Sequence, residues 1–304
     1  MLLFSACTKE VHLKIPGFEE KVVIEGSIET DGFPFVLISK NKNVYASTSQ
    51  NEILSSYLSG AKVWVSNGQD TIQLTEVCTN NLPQGMDTVV AAFLGIPVDV
   101  LHATSMCAYI GTDANFKGEV GKTYTLKVDF EGKTYQAHST ILSPINFTSS
   151  AFKPDVKYPN YGYIDNFLQD PSTKGNAYLT ESKRLNVDST GEPKDKRFYK
   201  SYLPYFDDEF FNGKQFEYSI DAPMTYGDST IDEKYRGFYK KGDTVQLKLS
   251  NYEHNIFEFL DAVSQQKASG GSPFSLPMNA VGNIPGALGC WIAFSPAYSI
   301  VVCQ

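Results

Sequence analysis

Apolar and polar residues alternate with period two through much of the first half of the chain. Residues 21–30 and 35–39 are rich in β-branched and apolar side chains on either side of the Asp31-Gly32 turn, so strands open the fold. Residues 61–66 and 71–75 alternate around Asn67-Gly68, a dipeptide favoured in tight hairpin turns. Further on, Tyr124, Leu126, Val128 and Phe130 fall on one face, Glu131-Gly132 turns the chain, and Tyr135 and Ala137 return on the partner strand. No amphipathic helical pattern is found before about residue 145, where Ser143-Pro144-Ile145 reads as an exit. The expectation is a mainly β protein whose N-terminal part is an immunoglobulin-like or transthyretin-like β-sandwich. Between the hairpins, residues 78–107 carry turn formers and read as a long excursion closed by its end cysteines.

The second half predicts an antiparallel β-rich domain with one amphipathic helix near residues 251–268. Ser250 and Glu253 stand at capping-box spacing, Tyr252, Ile256, Leu260 and Val263 recur every three or four residues, and Ser269-Gly270-Gly271 is a stop signal. Residues 182–197 are charged and turn-rich, a solvated loop between strands. The end of the chain, residues 289–303, reads as a hairpin turning at Pro296/Ala297.

Length changes the picture, because 304 residues exceed the size at which a single core stops growing. Two domains are expected, residues 21–145 and 146–304, after a leader remnant and tether over residues 1–20. The apolar run Leu2-Leu3-Phe4 and the small pair Ser5-Ala6 directly precede Cys7, the pattern of a lipoprotein processing site with Cys7 as the lipidated residue. The basic region and most of the apolar length of a secretory leader are missing, so a truncated start is expected. No later stretch reaches the roughly 18 apolar residues of a membrane span, which leaves attachment to the lipid. A net charge of −8 without a basic stripe argues against a nucleic-acid partner.

With Cys7 lipidated, four cysteines remain, an even number suited to disulfides in an oxidising compartment. The terminal hairpin would set Cys290 opposite Cys303, leaving Cys78 to pair with Cys107. The binding candidates are aromatic: Tyr158, Tyr161 and Tyr163 in one loop, and Tyr205 and Phe206 beside an acidic turn. In that turn Asp207, Asp208 and Glu209 are weak candidates for Ca²⁺, but consecutive side chains diverge and a solvated turn is favoured. His12, His102, His138 and His254 lie in four separate contexts with no metal spacing, and neither a Gly-x-Ser-x-Gly elbow nor a phosphate-binding loop is present. No catalytic residue, metal or cofactor is therefore expected.

Residues 244–251, the helix through Phe259-Leu260, Pro273-Phe274 and residues 283–289 together resemble the C-terminal signature of the domain of unknown function 4249 family. Residues 23–26, 61–65, 121–126 and 206–213 agree with the same family in order. The start Cys7-Thr8-Lys9-Glu10 is similar to the charged tag that sends Bacteroidota-type lipoproteins to the outer face of the outer membrane. The resemblance implies a surface lipoprotein, often encoded beside TonB-dependent transporters, and implies no chemistry. The expectation is a non-enzymatic ligand-capture or docking accessory of such a transporter, tethered with its N-terminal sandwich toward the membrane. The alternatives are a structural or adhesive surface protein and, behind it, a glycan-acting hydrolase.

Overall fold

The computed structural model describes residues 19–41, 56–82, 85, 87–94, 97–102, 106–223, 233–269 and 280–304. Cys7, His12, the tether up to residue 18 and Pro273-Phe274 lie outside the described residues. Strands β1 (Val22–Glu29) and β2 (Phe35–Lys40) pair across the Asp31 turn. β3 (Lys62–Ser66) and β4 (Thr71–Gln73) form the Asn67-Gly68 hairpin, whose loop is tied where Asn67 Oδ1 accepts the Gln69 and Asp70 N–H groups at 3.0 and 2.8 Å. β5 (Thr75–Cys78) leads through a 3-10 turn (Thr79–Asn81) to two short helices, α1 (Asp87–Leu94) and α2 (Val98–His102), before β6 (Cys107–Ile110) returns beside β5. These helices correct the reading of an all-strand first half.

β7 (Thr123–Phe130) and β8 (Lys133–Thr140) form the second hairpin, with Glu131 and Gly132 at φ of 48° and 75°, the left-handed pair that a two-residue turn needs. There follow β9 (Phe147–Pro154), β10 (Tyr161–Gln169), β11 (Asn176–Arg184), β12 (Tyr199–Asp207), β13 (Gln215–Ile220), β14 (Tyr239–Lys240) and β15 (Thr244–Glu253). Helix α3 (His254–Ser269) and the long strand β16 (Leu288–Val302) complete the described elements.

One eight-stranded sheet runs β12-β11-β15-β16-β1-β2-β6-β5. Its β1-β2-β6 side, with the first part of β16, is covered by the sheet β4-β3-β7-β8, and Ile24, Val36, Val63, Tyr124, Leu126 and Val128 fill the layer between. That is the β-sandwich. The sheet of β9, β10, β13 and β14 covers the other half through Ile164, Tyr239, Val245 and Leu247. α3 lies on the opposite face, with Ile256 against Ala177, Tyr252 and Cys290.

β16 joins the two halves. Its first part, residues 288–294, pairs in parallel with β1, and its second part, residues 295–302, pairs antiparallel with β15. Trp291 and Ala293 thereby enter the core of the first sandwich, so the sheet is continuous across the boundary expected at residue 145.

The same strand corrects the terminal hairpin. Residues 288–302 stay extended because each part has its own neighbour, and the change of neighbour falls at Phe294/Ser295, beside Pro296. Thirteen residues of strand hold Cys290 and Cys303 roughly 40 Å apart at about 3.3 Å per residue, so the expected pair does not form and both are buried free thiols. Cys78 and Cys107 are bonded as expected, directly opposite in the β5–β6 ladder. The capping box is also corrected: Ser250 and Glu253 belong to β15, and the helix starts at His254. The Glu253 carboxylate instead accepts the Ser139 hydroxyl and the Thr140 N–H, both at 2.9 Å.

Candidate functional site

On the sheet face that carries α3, Glu181 of β11 stands opposite Lys200 of β12 on one side and Lys248 of β15 on the other. The result is a cation–anion–cation row across three strands. Glu181 Oε2 lies 3.4 Å from Lys248 Nζ, and both side chains are only 15% exposed, so this pair is shielded enough to be more than a surface ion pair. The Lys248 ammonium also sits 5.7 Å from the centroid of Phe198 and 5.4 Å from that of Phe294. Lys200 Nζ donates to the Tyr205 hydroxyl and lies 4.9 Å from its ring centroid. The Arg197 guanidinium stacks 5.3 Å from the ring of Tyr199.

Glu181, Arg197, Phe198, Tyr199, Lys200 and Tyr205 wall an open cleft of about 520 Å³ whose far side is Val263 and Ser264 of α3, with Lys248 behind Glu181. The volume falls in the ~300–1,000 Å³ range of small-molecule sites. Although Lys200 is an exposed residue, desolvation lowers the pKa of its amine, against the opposing pull of Glu181. Desolvation also pushes the Tyr205 phenol up to about 12, with Glu181 and Asp261 adding to the shift, so Tyr205 stays a neutral hydroxyl at physiological pH. The cleft thus offers flat aromatic faces, two cations, Arg197 and Lys200, with no carboxylate at ion-pair distance among the described residues, and hydroxyl groups. Such a set suits the recognition of a ring-bearing or anionic small molecule. Among the described residues, the lining contains no histidine or cysteine.

The predicted candidates are dispersed. Tyr205 lies in the cleft, but its neighbour Phe206 faces the other side of β12, where its ring centroid is 5.1 Å from both Tyr178 and Tyr218. Tyr161 stacks on Tyr235 at 4.1 Å and 3°, and Tyr158 meets the same ring edge-on at 5.1 Å. Tyr163 follows on β10, half-buried. This tyrosine group contributes nothing to the cleft wall.

The acidic triplet splits three ways. Asp207 Oδ2 approaches His254 Nδ1 at 3.3 Å, next to the start of α3. Asp208 is buried, and its Oδ2 accepts the Gly175 and Asn176 N–H groups at 2.8 and 3.1 Å, fixing the turn before β11. Glu209 is exposed. Among the described residues, the trio close enough to share a cation is Glu76 with Cys78 and Cys107, and the two sulfurs there are bonded to each other rather than available as thiolates.

Glu181, Arg197, Lys200 and Lys248 escaped the sequence reading. Arg197 sits at the end of a segment that reads as a solvated loop, and the row of charges exists only once three strands are in register. The single signal within reach was a lysine and an aromatic at Lys200 and Tyr205, flanking a stretch of alternating strand character.

The model of the family described as Domain of unknown function (DUF4249) matches residues 8–299. No curated protein matches the chain.

Proposed function

This chain belongs to the DUF4249 family, and from that membership we propose that it is a surface-exposed outer-membrane lipoprotein, anchored through Cys7, that captures a ligand for a TonB-dependent nutrient transporter or docks on one without catalysing a reaction. The observation that carries the reading is the cleft between β12 and α3, with its cationic and aromatic walls. It lies far from the chain's point of entry. Val23 beside that entry pairs with Leu288, whereas Lys248 in the cleft row pairs with Tyr298, ten residues farther along β16 and so roughly 33 Å away at about 3.3 Å per residue. A tether attached at the start of β1 would therefore hold the cleft away from the membrane surface.

Affinity isolation of the lipidated chain from native membranes tests the partner. A transporter barrel should co-purify, and Cys7→Ala should move the chain out of the membrane fraction. Recovery of the chain alone, under conditions that keep other lipoprotein–transporter pairs together, would overturn the docking role.

A further inference from the structure

Glu76 and Cys78 lie two residues apart on β5, and Cys107 and Tyr109 two residues apart on β6, in the register pairs Glu76–Tyr109 and Cys78–Cys107. Residues two apart on a strand share a face, so the two sulfurs and the carboxylate meet on one side of the ladder. One ligand atom from each of Glu76, Cys78 and Cys107 lies within 4.8 Å of the others. A tetrahedral Zn²⁺ with bonds of about 2.0–2.3 Å needs ligand atoms roughly 3.5–3.8 Å apart, a spacing within reach of side-chain rotation once the sulfurs are no longer bonded to each other.

The backbone keeps the trio together without the disulfide. On one side of the cysteine pair, Val77 pairs with Ala108. On the other, the Thr79 N–H donates to the Met106 carbonyl at 2.9 Å and the Met106 N–H to Thr79 Oγ1 at 3.0 Å. The carboxylate is fixed as well. Glu76 Oε1 accepts the Gly60 N–H and the Tyr109 hydroxyl, both at 2.7 Å, which leaves Oε2 without a hydrogen-bond partner among the described residues. Outer partners of this kind orient a metal ligand. β5 is the terminal strand of the eight-stranded sheet, Glu76 is exposed and Cys78 half-buried, so a reductant or an ion can reach the site from solvent.

We propose that Glu76, Cys78 and Cys107 form a redox-gated site for a zinc-class divalent cation, closed while the disulfide stands and opened by a dithiol reductant. The dithiol gives two electrons and two protons to the S–S bond, becoming a cyclic disulfide and leaving the protein two thiols. Zn²⁺ then takes both sulfurs as thiolates with release of two protons, and the Glu76 carboxylate is the third ligand. A water fills the fourth position. Two thiolates and one carboxylate select Zn²⁺ over Ca²⁺ or Mg²⁺, which take oxygen ligands. The same two strands are thereby clipped by a covalent bond in oxidising surroundings and by a metal in thiol-rich ones.

The test uses the full chain carrying Cys7→Ala, so that this thiol takes no part, reduced anaerobically with dithiothreitol that is then removed. Dialysis against chelator-buffered Zn²⁺ followed by elemental analysis should find one ion more on the reduced chain than on the oxidised chain. Zn²⁺ should raise the melting temperature of the reduced chain alone, because a ligand stabilises the state that binds it. It should also protect Cys78 and Cys107 from alkylation. Glu76→Gln keeps the Oε1 acceptor and the disulfide, so the melting temperature of the oxidised chain should hold. In the reduced chain the same variant should weaken zinc binding at least about tenfold, since even an outer partner of a ligand is worth about 10–100-fold. Cys78→Ser should abolish binding. A reduced chain that takes up no more zinc than the oxidised one, that binds it without a rise in melting temperature, or that binds it equally well after Glu76→Gln or Cys78→Ser overturns the inference.

Discussion

Cys290 and Cys303 are 2% and 1% exposed, and chemistry follows from that seclusion. Burial pushes the Cys290 thiol up to about 11, with a contribution from the Glu253 carboxylate, and the Cys303 thiol up to about 12, with Asp243 adding to it. Only the thiolate reacts, so at about pH 8 both side chains are almost entirely in the unreactive form as well as out of reach. Alkylation of the native protein followed by peptide mass mapping should leave Cys290 and Cys303 unmodified. Unfolding without reductant should expose both, and Cys78 and Cys107 should react only after reduction. A Cys290–Cys303 peptide pair would contradict the strand. At the same scale, Tyr205 and Phe206 show why adjacent aromatics cannot share a role on a strand: one faces the cleft, the other faces Tyr178 and Tyr218.

At the scale of elements, the parallel pairing of β1 with β16 depends on two glycines. A Cβ on Gly26 would meet the Trp291 ring at 2.8 Å. At Gly289, where φ is 93°, a Cβ would lie 2.1 Å from the Ile24 carbonyl oxygen, a backbone atom that cannot swing aside. Gly289→Ala should therefore cost at least about 3 kcal/mol in urea unfolding, combining left-handed backbone strain with a steric clash between strands. A loss below about 1 kcal/mol would mean that the two strands do not approach this closely. Both sequence-local hairpins were legible because period-two alternation and a turn dipeptide lie within a dozen residues of one another. The parallel pair was not, because its partners are separated by more than 260 residues and only the register brings them together. β16 misled for a related reason. Ser295-Pro296 resembles a turn locally, yet the strand is kept straight by β1 below and β15 above, contacts that a local reading cannot see. The cleft was hidden in the same way, since its Lys200–Glu181–Lys248 row is a property of three strands together.

At the scale of the whole molecule, that one strand predicts cooperative unfolding. Two compositional halves would suggest two domains that unfold separately. However, Trp291, Ala293 and Ile284 fill the core of the N-terminal sandwich, and Trp291 Nε1 donates to the Tyr124 carbonyl at 2.9 Å. Val301, from the far end of the same element, and Cys303 just after it belong to the core under β10 and β15. Residues 21–145 alone would therefore expose the pocket that a fully buried tryptophan occupies, a large-to-small loss of the kind that costs about 3–5 kcal/mol before the lost β1–β16 ladder is counted. Such a deficit is comparable to the whole stability of a small domain. Denaturant unfolding of the full chain should show one transition, with the midpoint from tryptophan fluorescence, which reports Trp64 and Trp291 in the first sandwich, coinciding with that from far-ultraviolet circular dichroism, which also reports α3. A chain ending at Ala280, without β16, should show neither cooperative transition nor native tryptophan emission. Two separated midpoints, together with a folded 21–145 fragment, would show that the halves are autonomous and that β16 only bridges them.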